Sequence, residues 1–294
     1  MTDAALSQTC YSTAPLLHLW PGRAVYHGPS MELGMHSGSV SCLAVGLDDG
    51  FTLETDADGG SYTGRSALIR PRVRHRIRAH GSAMAFGYFE PGSAAERACA
   101  DALGAGNGRP VAVSAAREGA LLGLVGQPGP ELEAIDAAQA DPRIRAATHR
   151  LLLEPQVPRG ADDFAFDAGL SRSRFLHVFR EQTGITFRRY RLWARMLRAG
   201  RSLRDFGSLT RAAADAGFSN PSHLSSTFHA TFGLRPSDLL STGVVIVDHS
   251  GPHSRRRVEG DRQGSDPLTE TAPWRKEGRP ISVSGSAPWG LHAG

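Results

Sequence analysis

Between residues 171 and 182, helical spacing puts Arg172, Ser173, Arg174, His177 and Arg180 on one side and Phe175, Val178 and Phe179 on the other. A guanidinium offers a planar fork of donors that fits a phosphate or the acceptor edge of guanine, and serine and histidine add short-range donors and acceptors. Such a face could bind a duplex, the arginines neutralising phosphates while their neighbours meet base edges. An ordinary basic helix surface carries the same residue types, so the face takes its meaning from the elements around it. A second face, within 220–229, presents Asn220, Ser222, His223, Ser226 and His229 with no arginine or lysine. Short polar side chains make few strong contacts, so this helix is expected to discriminate weakly or to act mainly by positioning.

Two other groups could do different chemistry. His36, His75 and His80 could converge on a metal, which needs two or three histidines and a carboxylate from neighbouring strands. His36 is followed by Ser37 and Gly38 rather than by a second histidine two places on, so the expectation is satisfied or exposed histidines, no metal and no cofactor. Arg70, Arg72, Arg74, Arg76 and Arg78 alternate, and in an extended strand all five would share one face. That face is either an anionic effector site or solvated surface, and solvated surface is the expectation.

The basic face sits in a pattern that occurs twice. Residues 162–184 and 209–233 each contain an alanine-bearing helical run, a glycine, an apolar residue and a polar start to a new helix, and each closes with Phe-x4-Gly. Ala165 with Gly169, and Ala213 with Gly217, supply the small residue and the turn residue that two crossing helices need. Between the copies, Tyr190, Trp193, Ala194 and Leu197 recur at helical spacing within 187–203. A helix of that length measures about 25 Å, near enough to the roughly 34 Å of one duplex turn to offer both units to successive major grooves.

These residues resemble the DNA-binding domain of AraC/XylS-type transcription regulators over residues 141–240. The resemblance rests on Gly169-Leu170-Ser171, the Phe179 to Gly184 close, Tyr190, Arg195 and Ala199 on the connecting helix, and the AAADAGFSNPSHLSSTF and GLRPSDLL segments. It implies an all-α domain of seven helices with two helix-turn-helix motifs. It places Ser173, Leu176 and His177 where base edges are read, and Arg172, Arg174 and Arg180 within reach of phosphates or guanines. Double-stranded DNA is the implied partner; RNA polymerase, a small-molecule effector and a second copy of the chain are further partners the resemblance allows. The sequence departs from the family at Gly200 inside the connecting helix, at Pro221 opening the second recognition helix, and in that helix's lack of arginine and lysine.

Charge is distributed to suit. Residues 1–140 hold 10 basic and 14 acidic residues, residues 141–245 hold 16 and 9, and the remainder 7 and 6, so the positive charge lies on the repeat-bearing segment. Lys276 is the only lysine, a skew that fits codon composition better than function. Three scattered cysteines suggest neither a disulfide framework nor a zinc knuckle, and the absence of a leader-like start or a long apolar run suggests a cytoplasmic protein without membrane contact. Before the repeats, short alternating runs from Val40 to Glu90 predict antiparallel β-structure. The 66–77 segment resembles the strand-Pro-turn-His stretch of the cupin-like sensing domains that precede this kind of DNA-binding domain.

Helices are expected at 93–103 and 115–125, and again across 131–153 with a break at Asp141-Pro142. The reading is therefore α+β: a cupin-like sensing or dimerisation domain at 1–125, a linker at 126–140, the double helix-turn-helix domain at 141–245 and a disordered tail at 246–294. The function is that of a sequence-specific transcription regulator modulated by a small molecule, and not an enzyme. The alternative is a metal-dependent cupin-type enzyme with a DNA-binding appendage.

Overall fold

A computed structural model describes residues 14–56, 59–104, 121, 123 and 141–250. The amino-terminal part is built from short strands: β1 (Leu16–Trp20), β2 (Arg23–Pro29), β3 (Ser41–Gly46), β4 (Phe51–Thr55), β5 (Ser61–Gly64), β6 (Ser66–Ile69), β7 (His75–Ala79) and β8 (Ala83–Phe89). They form a six-stranded sheet in the order β6-β3-β8-β2-β1-β9 and a three-stranded sheet in the order β5-β4-β7. In β4 and β7 the buried residues alternate with exposed or half-buried ones, the signature of strands with one face in a core. Phe51, Leu53 and Ile77 from the small sheet pack with Ala24, Tyr26, Ala44, Met84 and Phe86 from the large one. On the other face of the large sheet, Ala95, Cys99 and Leu103 of helix α1 (Ala94–Leu103) cover Val25, Leu43, Val45 and Phe89. Ser93 caps α1 by accepting from Glu96 N–H, as its sequence suggests.

Three features differ from the sequence reading. The sheet begins at Leu16, well before Val40, because β1 and β2 make a hairpin that closes at Pro21-Gly22. The arginine run does not stay extended: 70–74 is a turn between β6 and β7, and Arg72 has a φ of 71°. The five arginines therefore share no single face. Arg76 and Arg78 both bind Glu54, and Arg74 lies 3.4 Å from Asp56. Finally, strand β9 (Val245–Asp248) lies across the boundary drawn at 245/246 and pairs in parallel with β1, from Leu16 opposite Val245 to Leu19 opposite Asp248. The first residues assigned to the disordered tail thus belong to the amino-terminal sheet. The helix expected over 115–125, the 126–140 linker and the tail beyond residue 250 lie, almost entirely, outside the described residues.

Among the described residues, seven helices lie between 142 and 241: α2 (Pro142–Leu153), α3 (Ala161–Asp167), α4 (Arg172–Thr183), α5 (Phe187–Phe206), α6 (Leu209–Asp215), α7 (Pro221–Phe232) and α8 (Pro236–Ser241). Asp141 caps α2 through Arg143 N–H with Pro142 in the first turn, the sequence's own start signal. The connecting helix α5 runs to Phe206, 20 residues, which makes it about 30 Å long. Its Tyr190, Trp193, Ala194 and Leu197 are almost fully buried. The core does not stop at the domain boundary: the sheet's Tyr26 and Phe86 belong to one cluster with Trp193, Leu224 and Phe232.

Candidate nucleic-acid interface

Each helix-turn-helix is assembled from caps and turns that the sequence prescribes. In the first, Ala168 ends α3, Gly169 takes a φ of 62°, and Ser171 caps α4 by accepting from Arg174 N–H at 3.3 Å. In the second, Ala216 ends α6, Gly217 takes a φ of 73°, and Asn220 Oδ1 caps α7 by accepting from His223 N–H at 2.7 Å. An L-residue at either glycine would be forced into the left-handed region. Phe175, Val178 and Phe179 turn inward from α4, and Phe164, Phe175, Phe179 and Phe187 make edge-on and offset ring contacts 5.2–6.4 Å apart. Leu224 anchors α7 in the same manner.

The candidate residues on α4 emerge together on its outer face. Arg172, Ser173, Arg174, His177 and Arg180 are exposed, whereas Leu176 is half-buried against the core. Arg172 lies 3.5 Å from Asp162, an open pair worth little in water. Arg174 and Arg180 have no ion-pair partner among the described residues. Two exposed guanidiniums are thereby left available for an external anion.

On α7 the candidates are exposed but engaged with their own helix. Asn220 is the cap, His223 Nδ1 sits 2.9 Å from Ser219 Oγ, and Ser226 donates to His223 O at 3.1 Å. Ser222 is open to solvent. His229 is also exposed but stands at the far end of the helix, beside Gly34 of the sheet domain. That end is held by Gly34 N–H to Gly233 O at 2.7 Å and Ser37 N–H to Ala230 O at 3.2 Å. A Cβ at Gly233 would fall 2.6 Å from His36 Nδ1, so this close approach needs glycine.

Several positioning residues are less visible in the sequence. Arg195 donates to Ala216 O at 2.8 Å and to Gly217 O, and lies 3.9 Å over the Phe218 ring. Arg191, one turn earlier, donates to Val157 O and Arg159 O, at the loop that enters the first unit. One face of α5 thus ties both units to the same rod. The signal was an arginine every three or four residues, which reads equally well as a solvated stripe.

A second set binds α5 to the sheet domain: Tyr190 Oη donates to Glu90 Oε1 at 2.7 Å, Trp193 Nε1 to Gly22 O at 3.2 Å, and Arg201 Nη2 to Trp20 O at 3.1 Å. Glu90 is buried, and burial raises its carboxyl to about 8 against the opposing effect of the Tyr190 hydrogen bond. Neutral at pH 7, it avoids leaving an uncompensated charge inside.

Of the three histidines considered for a metal, two come together. The His36 and His75 rings stand 4.2 Å apart, the two residues paired in an isolated β-bridge, and each Nδ1 is bonded to a backbone carbonyl, of Gly34 and Val73 respectively. Burial, and then the neighbouring His75, lowers His36 to about 4. His80 is elsewhere, 2.8 Å from Thr52 Oγ1. Among the described residues no three histidine, cysteine or carboxylate side chains gather as a metal site, and no helix is long and apolar enough to cross a membrane.

The geometry defines a class: two helix-turn-helix units hung on one helix. Residues 164–242 match the family model described as a helix-turn-helix domain. That segment is an AraC-type double helix-turn-helix domain, and the protein is a DNA-binding transcription regulator. Among solved structures, the chain is similar to the apo form of a ToxT variant from Vibrio cholerae at 12% identity, covering 75% of this chain and 97% of that one with a TM-score of 0.49. It is similar over a shorter span to an AraC-type regulator from Chromobacterium violaceum, at 28% identity, 33% and 88% coverage and a TM-score of 0.31. A DNA-binding transcriptional dual regulator from Escherichia coli gives 19%, 36% and 95%, and 0.33. No curated protein matches the chain.

Proposed function

We propose that this regulator reads a specific duplex sequence chiefly through α4, with Arg172, Arg174 and Arg180 on phosphates or guanines and Ser173, Leu176 and His177 at base edges. On α7, Asn220, Ser222, His223, Ser226 and His229 form a weaker second reader. The observation that carries this reading is the pair of unpaired, exposed guanidiniums on a capped helix whose other face is buried. Arg174 and His223 must meet the same duplex for it to hold. The sheet domain senses a small molecule, and its contacts with α5 and α7 let any shift in packing reach the readers. The protein acts by binding alone, in the cytoplasm; RNA polymerase and a second copy of the chain belong to the reading through its class.

Genome-wide mapping of bound DNA tests it. One recurrent motif spanning two adjacent major grooves is the expected result, and uniform recovery of all sequences overturns specific reading. Stoichiometric iron, manganese or zinc in the purified protein would instead favour a metal-dependent enzyme.

A further inference from the structure

The two helix-turn-helix copies differ in length by one residue. In the first, the cap Ser171 follows Leu170 directly; in the second, Ser219 stands between Phe218 and the cap Asn220. Each cap accepts from the third residue of the helix it opens, Arg174 on α4 and His223 on α7, so the copies are back in register there. The inserted residue touches the reading face: Ser219 Oγ lies 2.9 Å from His223 Nδ1.

His223 is exposed yet held from several directions. Its ring stands nearly perpendicular to that of Phe218, at 83° with 5.4 Å between centroids, and Phe218 is itself buried with the Arg195 guanidinium 3.9 Å over it. Its backbone N–H is bound by Asn220, and its carbonyl accepts from Ser226 and Thr227 at 3.1 and 2.7 Å. With main chain and ring plane fixed, the freedom that remains is which nitrogen carries the proton. A hydroxyl can donate or accept. Nδ1 is the ring nitrogen nearer the main chain, in the first turn of α7, where the helix presents its positive end and a lone pair is favoured over another N–H. With Ser219 donating, Nδ1 accepts, and the proton sits on Nε2, the ring's far nitrogen.

We propose that Ser219 is a positioning residue that holds His223 as an Nε2–H donor, so that the second reader prefers guanine to cytosine on the strand it faces. Guanine shows two acceptors, O6 and N7, at the major-groove edge, where cytosine shows the N4 donor. In the other tautomer Nε2 would be an acceptor and the preference would reverse. The proposal rests on the reading of α7 as a base reader and adds how that helix discriminates. A side chain already held in its bound orientation loses little freedom on contact, which lets a helix without arginine or lysine select a base.

Nitrogen chemical shifts of His223 in the full chain, taken at about pH 8 so that imidazole carries a single proton, read the tautomer without DNA. The wild type and Ser219→Thr are expected to show Nε2–H, and Ser219→Ala a mixture. Duplexes that differ at one base pair of the half-motif under α7 then read the selection. About fivefold tighter binding of guanine than of cytosine is expected for the wild type and Ser219→Thr, against less than about twofold for Ser219→Ala, with preferences under α4 unchanged in all three. Predominant Nδ1–H in the wild type, or an undiminished guanine preference in Ser219→Ala, overturns the proposal; should a variant not fold, the wild-type shifts decide. The two failures are distinct. A wrong tautomer removes the Ser219 assignment whatever the DNA result, whereas Nε2–H in a protein with no base preference under α7 removes that helix as a reader, and the proposal with it.

Discussion

The two helix-turn-helix units share a plan and differ in what supports them. The first is built on an aromatic cluster of Phe164, Phe175, Phe179 and Phe187 and shows solvent a face with three arginines. The second has only Leu224, Thr231 and Phe232 buried on its recognition helix, shows short polar groups, and leans on the sheet domain at Ala230 and Gly233. On the proposed reading the repeat divides labour: the copy with the arginine face would supply affinity, and the copy held at Ala230 and Gly233 would be adjusted by the sheet domain that holds it.

The most severe way to break this comparison is to empty the two cores. Phe179→Ala should cost about 3–5 kcal/mol, since Phe179 is fully buried, and should abolish DNA binding. Phe232→Ala should cost less, because that ring is 9% exposed and borders a space already open. Denaturant midpoints of the two variants check the order, and equal losses would remove the asymmetry.

The sheet domain can be probed through Glu90. Its folded value of about 8 stands above its ordinary 4.5, so the folded state holds the proton more tightly. Stability is therefore fully present below the ordinary carboxylate range and declines as pH rises from there through about 8, by up to about 1.4 kcal/mol per pH unit. Glu90→Gln should flatten this decline. The difference between the two pH–stability curves isolates the carboxyl from the histidines, and parallel curves would contradict the assignment.

The smallest effects lie on the surface. Arg174→Ala should weaken binding to the mapped operator about tenfold and reduce the salt slope by about one, whereas Ser226→Ala should change affinity less than twofold. Gel shifts at two salt concentrations resolve both, and equal losses would make the second unit a full reader.

What the sequence disclosed follows the range of the forces involved. Caps, turns and the buried faces of α4 and α7 are local, fixed by residues within four positions of one another, and Ser171, Gly169, Gly217 and Pro142 announced them. The strand β9 and the Tyr190–Glu90 bond join residues about 230 and 100 positions apart, and neither end carries a mark of its partner. The arginine run at 70–78 shares no face because alternation specifies one only while the chain stays extended, and Pro71 begins a turn; Arg70, Arg72, Arg74 and Arg78 are exposed, as the reading of a solvated surface expects. The docking of α7 was hidden for the same reason: Gly233 reads as a helix terminator, and its second duty, admitting His36, depends on a loop distant in sequence.

Strand β9 closes a circuit. After leaving the sheet the chain builds both reading units and then comes back to lie along its own first strand, where Asp248 is gripped by Arg201 and Arg204 and His249 stacks on Trp20 at 4.4 Å. The helical domain is thus moored to the sheet by its exit as well as by its flank, so small pivots about the seam are open to it while a wide swing requires unzipping a strand. A fragment ending before residue 245 is a molecule freed of that mooring, and its affinity for DNA describes the readers unrestrained.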